Sequence, residues 1–337
     1  MKKLIIVIIV AGLTACGGNR VRLSGAGATF PLPFYNIVFK AYSEKTGNIV
    51  DYGGIGSGGG IRSLTDRTVD FGASDAFLSS EDMANMSAEV LHIPTCMGAV
   101  VLSYNLPGID GLKLTGELIS DIYLGRITRW NDEKIKALNP DLTLPDRTII
   151  PVYRSDGSGT TAVFSDYLTK VSPEWATDMG AGTSLRWTVG VASRGNPGVA
   201  GSVAQTEGAI GYIGSEYALS LNIPIALLQN GAGNFVEANA VSISAAANVE
   251  LPADMRAMVT NSSEENAYPI SCFTWIIVYK NQSYNKRTEQ QANALVELLE
   301  FILSPEGQGT AKNVNYAPLP PKALENAMNI VKSIEFK

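Results

Sequence analysis

Two long runs of apolar, β-branched and aromatic residues, Ile93–Tyr104 and Ile270–Tyr279, constrain this chain more than any other feature. The stretch between them reads as a self-sufficient α/β segment. The chain is therefore expected to build a first lobe in two pieces, with a second lobe inserted through a pair of strand crossings that serve as hinges. At 337 residues it is too long for one ordinary core and suits two lobes of roughly 100 to 200 residues each. The expected divisions are 1–15 as an export signal, 16–104 and 268–337 as the two pieces of the first lobe, and 105–267 as the second.

Within that frame strand-like and helix-like stretches alternate, the pattern of an α/β protein with substantially parallel sheets. A short strand at Val21–Ser24 precedes a helix opened by Pro31, with Phe34, Val38, Ala41 and Tyr42 on one face and Gly47 as its stop. Strands at Ile49–Tyr52 and Asp70–Ala73 follow, with a glycine-rich turn and a short helix between them. The insert holds expected helices at Thr115–Leu124, Asp132–Leu138 and Thr160–Lys170 and a strand at Ile149–Tyr153. Helices at Glu289–Leu303 and Lys322–Ser333 return to the first lobe. The polar stretch Gly231–Val249 reads as a surface excursion.

The first residues stand apart from the fold. Lys2 and Lys3 precede an apolar run, Leu4–Val10, far shorter than the ~20 residues a spanning helix needs, so the segment reads as an export signal. It ends in Leu13-Thr14-Ala15-Cys16, which resembles a bacterial lipobox, where cleavage leaves a cysteine to carry lipid, palmitate included. The mature protein is then expected on a membrane through that anchor, without crossing it. Only Cys96 and Cys272 remain, each just after a proline in a strand-like run. In an exported protein they are either a disulfide or two buried thiols. One histidine and no CxxC leave little for a metal or redox site. A net charge of −6 argues against a nucleic-acid surface, and any anion must be held by a local site.

Four segments have the composition such a site needs: Gly25–Pro31, Gly54–Gly60, Gly72–Asp75 and Arg154–Thr161. They combine small residues, hydroxyls and backbone amides, three of them just before a helix, where free N–H groups and the helix dipole favour an oxyanion. Arg154 offers a planar fork for two oxygens, and Asp156 is placed to orient that guanidinium. Asp75 looks misplaced in an anion site until protonation is considered. A carboxylate accepts from the P–OH of phosphate but repels fully ionised sulfate. Its plainer alternative is an N-cap ahead of Ser79-Ser80-Glu81.

Gly-Ala-Gly-Ala-Thr-Phe-Pro, Gly-Ile-Gly-Ser-x-Gly-Gly, Val69–Asp75 and Arg154-x-Asp156-Gly157-Ser158-Gly159-Thr160 resemble, in order, the signatures of the periplasmic phosphate-binding proteins of ABC-type importers. Asp121–Gly125, Trp130-Asn131-Asp132 and Gly208–Tyr212 extend the resemblance over nearly the whole mature chain. It implies a type II two-lobed fold, each lobe a mixed sheet flanked by helices, which binds inorganic phosphate without catalysis or cofactor. The implied phosphate contacts are Thr29, the Phe30 amide, Ser57 and Asp75 from one lobe, and Arg154, Ser158, the Gly159 amide and Thr160 from the other. The implied partners are permease subunits with a cytoplasmic ATPase, served by a monomer. Where the family has two serines in its second motif, this chain has Ser57-Gly58.

Three other readings compete. Gly54–Gly59 formally matches a dinucleotide fingerprint, which an exported protein has little use for and which leaves Gly157–Thr160 unexplained. A serine hydrolase would need a base for Ser57 or Ser158, and His92 is the only imidazole. A binder of molybdate, tungstate or sulfate would have no use for Asp75. Phe30, Tyr104 and Tyr153 are candidates to line the cleft.

Overall fold

A computed structural model describes residues 20–337. The export signal and Cys16 lie outside the described residues. The first lobe opens with β1 (Arg22–Gly27), α1 (Leu32–Thr46), β2 (Ile49–Gly54), α2 (Ser57–Thr65), β3 (Phe71–Ser74), α3 (Ser80–Ala84) and the 15-residue β4 (Val90–Tyr104). The insert runs through β5 (Lys113–Leu114), α4 (Gly116–Tyr123), α5 (Glu133–Leu138), β6 (Ile150–Arg154), α6 (Gly159–Val171) and α7 (Pro173–Asp178). It continues with β7 (Val191–Ser193), α8 (Gly195–Gln205), β8 (Ala209–Gly214), α9 (Ser215–Ser220), β9 (Leu227–Gln229), β10 (Phe235–Val236) and α10 (Ala240–Ala245). The chain returns in β11 (Ser271–Tyr279), α11 (Glu289–Leu303), α12 (Pro305–Lys312) and α13 (Pro321–Val331).

The main sheet has the order β2-β1-β3-β11-β4-β8-β6-β7. β4 belongs to both halves of it. Val90–Ala99 pair antiparallel with β11, and Val100–Tyr104 pair antiparallel with β8. The strands outside this hinge region, β2-β1-β3 on one side and β8-β6-β7 on the other, run parallel among themselves. All of β11, and all of β4 but Leu91, is buried. Strands covered on both faces read as near-continuous apolar runs, which is why these two lack alternation, and the few polar residues in them, such as Thr95, Ser103 and Thr274, are buried and hydrogen-bonded.

Within the β4–β11 ladder Cys96 pairs with Thr274 and Pro94 with Trp275, so Thr95 is an extra residue. Pro94 has no N–H to give the ladder, and the bulge accommodates it. The same register settles the cysteines. Cys272 pairs with Gly98, which puts it diagonally across from Cys96, at the ~7–8 Å typical of such neighbours and beyond disulfide reach. Both are free, buried thiols, and burial pushes each thiol's pKa well above the usual value. The disulfide alternative is thereby corrected.

Most helix ends are written locally. Thr115, Asp132, Ser158 and Thr288 cap α4, α5, α6 and α11 with side-chain bonds to backbone N–H groups, and Gly47 ends α1 with φ of 79°. The stretch Gly231–Val249 is more ordered than its composition suggests. β10 completes a small sheet with β9 and β5, and an Asn239–Ser242 capping box starts α10, which buries Ile243. No helix among the described residues is long and apolar enough to cross a membrane.

Candidate functional site

Four helix N-termini meet where the lobes face each other: α1 and α2 from the first, α6 and α8 from the second. The lobes are in contact there. Ser57 Oγ accepts the Gly159 N–H at 3.0 Å, and the Gly58 N–H donates to the Gly157 carbonyl at 3.0 Å. The Tyr217 hydroxyl donates to the Thr29 carbonyl. Gly56, with φ of 90°, is what permits this approach, because a Cβ there would run into the Asp156 carboxylate and the Gly157 carbonyl.

Thr29, Ser57, Asp75, Arg154, Ser158 and Thr160 are each no more than 5% exposed. Thr29 Oγ1 accepts from the Asn196 backbone N–H (3.0 Å) and from Asn196 Nδ2 (2.9 Å). Thr160 Oγ1 accepts from Arg154 Nη1 (3.3 Å) and Asn196 Nδ2 (3.1 Å). Ser57 Oγ accepts from Gly159 and, at 3.4 Å, from the Asp75 N–H, while Ser158 Oγ accepts the Thr161 N–H as the cap of α6. A hydroxyl has two acceptor positions and one hydrogen. With N–H groups already donating to them, these four hydroxyls are set to act as donors.

The charged groups are equally constrained. Asp156 holds Arg154 through two bonds, to Nε at 2.8 Å and Nη2 at 2.6 Å, and accepts the Gly195 N–H at 3.0 Å. Burial works against the Asp156 carboxylate, but the Arg154 and Gly195 interactions outweigh it and keep its pKa below the usual value. The Tyr212 hydroxyl accepts the Arg154 backbone N–H at 3.0 Å and so fixes the end of β6. Asp75 Oδ1 accepts from Thr274 Oγ1 at 2.8 Å. Burial pushes the Asp75 carboxyl up to about 7, although Thr274, the Arg154 charge and Thr160 all pull it down. Asp75 does not cap α3, since Ser79 does so in a box with Asp82.

The structure thus gathers Thr29, Ser57, Asp75, Arg154, Asp156, Ser158, Gly159 and Thr160 at one place between the lobes. The Phe30 ring is a core group beside the site, edge-on to Tyr316, and the Tyr316 hydroxyl donates to the Phe30 carbonyl. Tyr104 belongs to the second lobe's core, tilted against Trp130 with its hydroxyl on the Ile109 carbonyl, and Tyr153 stacks on Trp187. Neither is a cleft-closing group. His92 Nε2 accepts the Leu78 N–H at 3.0 Å, and burial takes its pKa down to about 4. Neither Ser57 nor Ser158 bonds to it, so the hydrolase reading loses its base. Sequence reasoning missed Asn196, Thr274 and Glu216. Glu216 is buried at the start of α9, with Oε1 on the Ser215 hydroxyl and Oε2 without a partner, and burial takes its pKa up to about 8.

Comparison with known proteins gives this geometry a family. Residues 14–306 match the PBP superfamily domain. The phosphate-binding protein PstS of Xylella fastidiosa is 41% identical over 320 residues, covering 94% of this chain and 84% of that one. The chain belongs to the phosphate-binding protein family. PstS of Haemophilus influenzae, another family member, is 39% identical over 324 residues, or 95% and 94% of the two chains. A phosphate-binding protein from Stenotrophomonas maltophilia shares the fold at a TM-score of 0.71 and 18% identity, over 92% and 94% of the chains. That structure thus shares the two-lobed α/β fold described above, and in this chain the main sheet places β11 between β3 and β4.

Proposed function

We propose that this protein binds one inorganic phosphate between its lobes, outside the cytoplasmic membrane, and delivers it to an ABC-type importer without catalysis. The observation that carries the reading is the set of four hydroxyls, two from each lobe, already accepting N–H bonds and so turned into donors around Arg154. Asp156 and Thr160 occupy three of the five guanidinium N–H groups, leaving one on each terminal nitrogen for the ligand. The helix N-termini and the Phe30 amide add partial positive charge, whereas the Gly159 N–H is already given to Ser57 Oγ.

Asp75 reads the proton. Thr274 steadies one of its oxygens, and the other receives the P–OH hydrogen that phosphate carries at neutral pH. Sulfate brings no such hydrogen, and two facing buried acceptors cost ~2 kcal/mol or more. Closure about β4 and the entry to β11, where the chain changes lobe, dries the site and completes the ligand shell.

The signal segment and the Leu-Thr-Ala-Cys sequence support export and a lipid on Cys16, which places a monomer at the outer face of a membrane beside the permease and its cytoplasmic ATPase. Titration calorimetry of the mature, unlipidated chain with phosphate and with sulfate tests the reading: phosphate binds and sulfate does not. Binding of neither ion, or of both alike, ends it. Asp75→Asn should weaken phosphate binding at least about tenfold and admit sulfate. Undiminished rejection of sulfate would remove the proton-reading role while leaving phosphate binding in place.

A further inference from the structure

Asn196 lies within the first turn of α8 and is fully buried. Its Oδ1 accepts the Gly214 N–H at 2.9 Å. A backbone N–H can be met only by an acceptor, so this bond fixes which end of the amide is oxygen. Nδ2 must then face the other way, where its two hydrogens reach Thr29 Oγ1 in the first lobe and Thr160 Oγ1 in the second. No other side chain among the described residues bonds to hydroxyls of the site on both lobes.

We propose that Asn196 is a positioning residue that locks the hydroxyls of Thr29 and Thr160 as hydrogen-bond donors toward the bound anion while tying the lobes together. The inference rests on the phosphate reading. The hydroxyl of a free threonine rotates between donating and accepting, and with two lone pairs to one hydrogen most of its orientations present a lone pair to an anion. Occupying the lone pairs removes those orientations before the ligand arrives, so the ordering cost is met on folding and closure instead of on binding. Asn196 need not touch phosphate to do this.

The test is a double-mutant cycle on phosphate affinity, with folding of each variant checked by its phosphate-free thermal transition. Asn196→Ala should cost about tenfold or more in the wild-type background. In a Thr160→Val background, where one of the two hydroxyls is gone, the same change should cost at least about threefold less. Equal losses in both backgrounds overturn the proposal. A second variant reverses the donor. Asn196→Asp keeps an acceptor for Gly214 but turns the other oxygen on the threonines, which then donate to it instead of to phosphate. At about pH 8 it should bind more weakly than Asn196→Ala, and the gap should narrow by about pH 5 as the new carboxyl, its pKa raised by full burial at this position, gains a proton and donates again. An Asp variant that binds as well as the Ala variant, or a gap unchanged with pH, also overturns it. Failure of the wild-type chain to bind phosphate would instead refute the proposed function, so the two failures are distinct.

Discussion

Glu216→Gln removes a titration that burial has displaced far from its ordinary range, and the structure sets the size and sign of the effect. The carboxyl lies at the junction of β8 and α9, with Oε2 unpartnered and its pKa raised from 4.5 to about 8 by burial, which outweighs the lowering pull of hydrogen bonding at the carboxyl, the Asp75 charge adding only a smaller push. The folded protein therefore holds a proton there that the unfolded chain releases. Its contribution is fully present below about pH 4.5 and is lost as pH rises toward 8. At about 1.4 kcal/mol for each tenfold in proton affinity, a rise from 4.5 to about 8 amounts to at most about 5 kcal/mol. Any local opening that hydrated the carboxylate without global unfolding would reduce the observed effect, which makes this a ceiling. Glutamine mimics the protonated form and does not titrate. Urea unfolding of the phosphate-free mature chain, wild type against Glu216→Gln, should give similar stabilities near pH 5. The variant's advantage should grow to about 2–5 kcal/mol by pH 9. Asp75, raised in the same direction, titrates in both proteins and largely cancels. Parallel stability curves, or an advantage that shrinks as pH rises, would refute the reasoning.

Other substitutions probe closure, the thiols and the anchor. Gly56→Ala places a methyl against Asp156 and Gly157 and should reduce phosphate affinity about tenfold or more while lowering the phosphate-free thermal midpoint by only a few degrees; unchanged affinity would mean the lobes do not close this tightly. A thiol reagent added to the mature chain lacking Cys16 should leave Cys96 and Cys272 untouched in the native protein and titrate both in denaturant without reductant; a mass two hydrogens lower would show a disulfide instead. Cys16→Ala should move the full-length protein from the membrane fraction to the soluble fraction or block its processing, and a variant that still fractionates with membranes would refute the lipid anchor.

How much of this was legible in the sequence follows from the range of each interaction. The ends of α4, α5, α6 and α11 could be read within a residue or so because Thr115, Asp132, Ser158 and Thr288 bond to amides two or three positions away. The hinge strands were visible because burial on both faces makes them near-continuous apolar runs with few polar positions. Arg154 and Asp156 were readable as a pair because they lie two positions apart on one turn. Asn196 was not readable, since its partner Thr29 is 167 residues away and nothing in Arg194-Gly195-Asn196 announces the contact. Thr274 reaches Asp75 across 199 residues and was hidden for the same reason.

The sequence by itself determined an α/β chain with one lobe inserted in the other, and glycine- and hydroxyl-rich loops ahead of helices that suit an oxyanion. Those properties depend on local spacing, capping and hydrophobic pattern, which a linear chain displays. Only the tertiary structure decided that Cys96 and Cys272 stay apart, that Glu216 is buried with an unpartnered oxygen, and that Asn196 spans two threonines. Each of those depends on strand register or on the meeting of two lobes, and neither quantity is carried by any single stretch of residues.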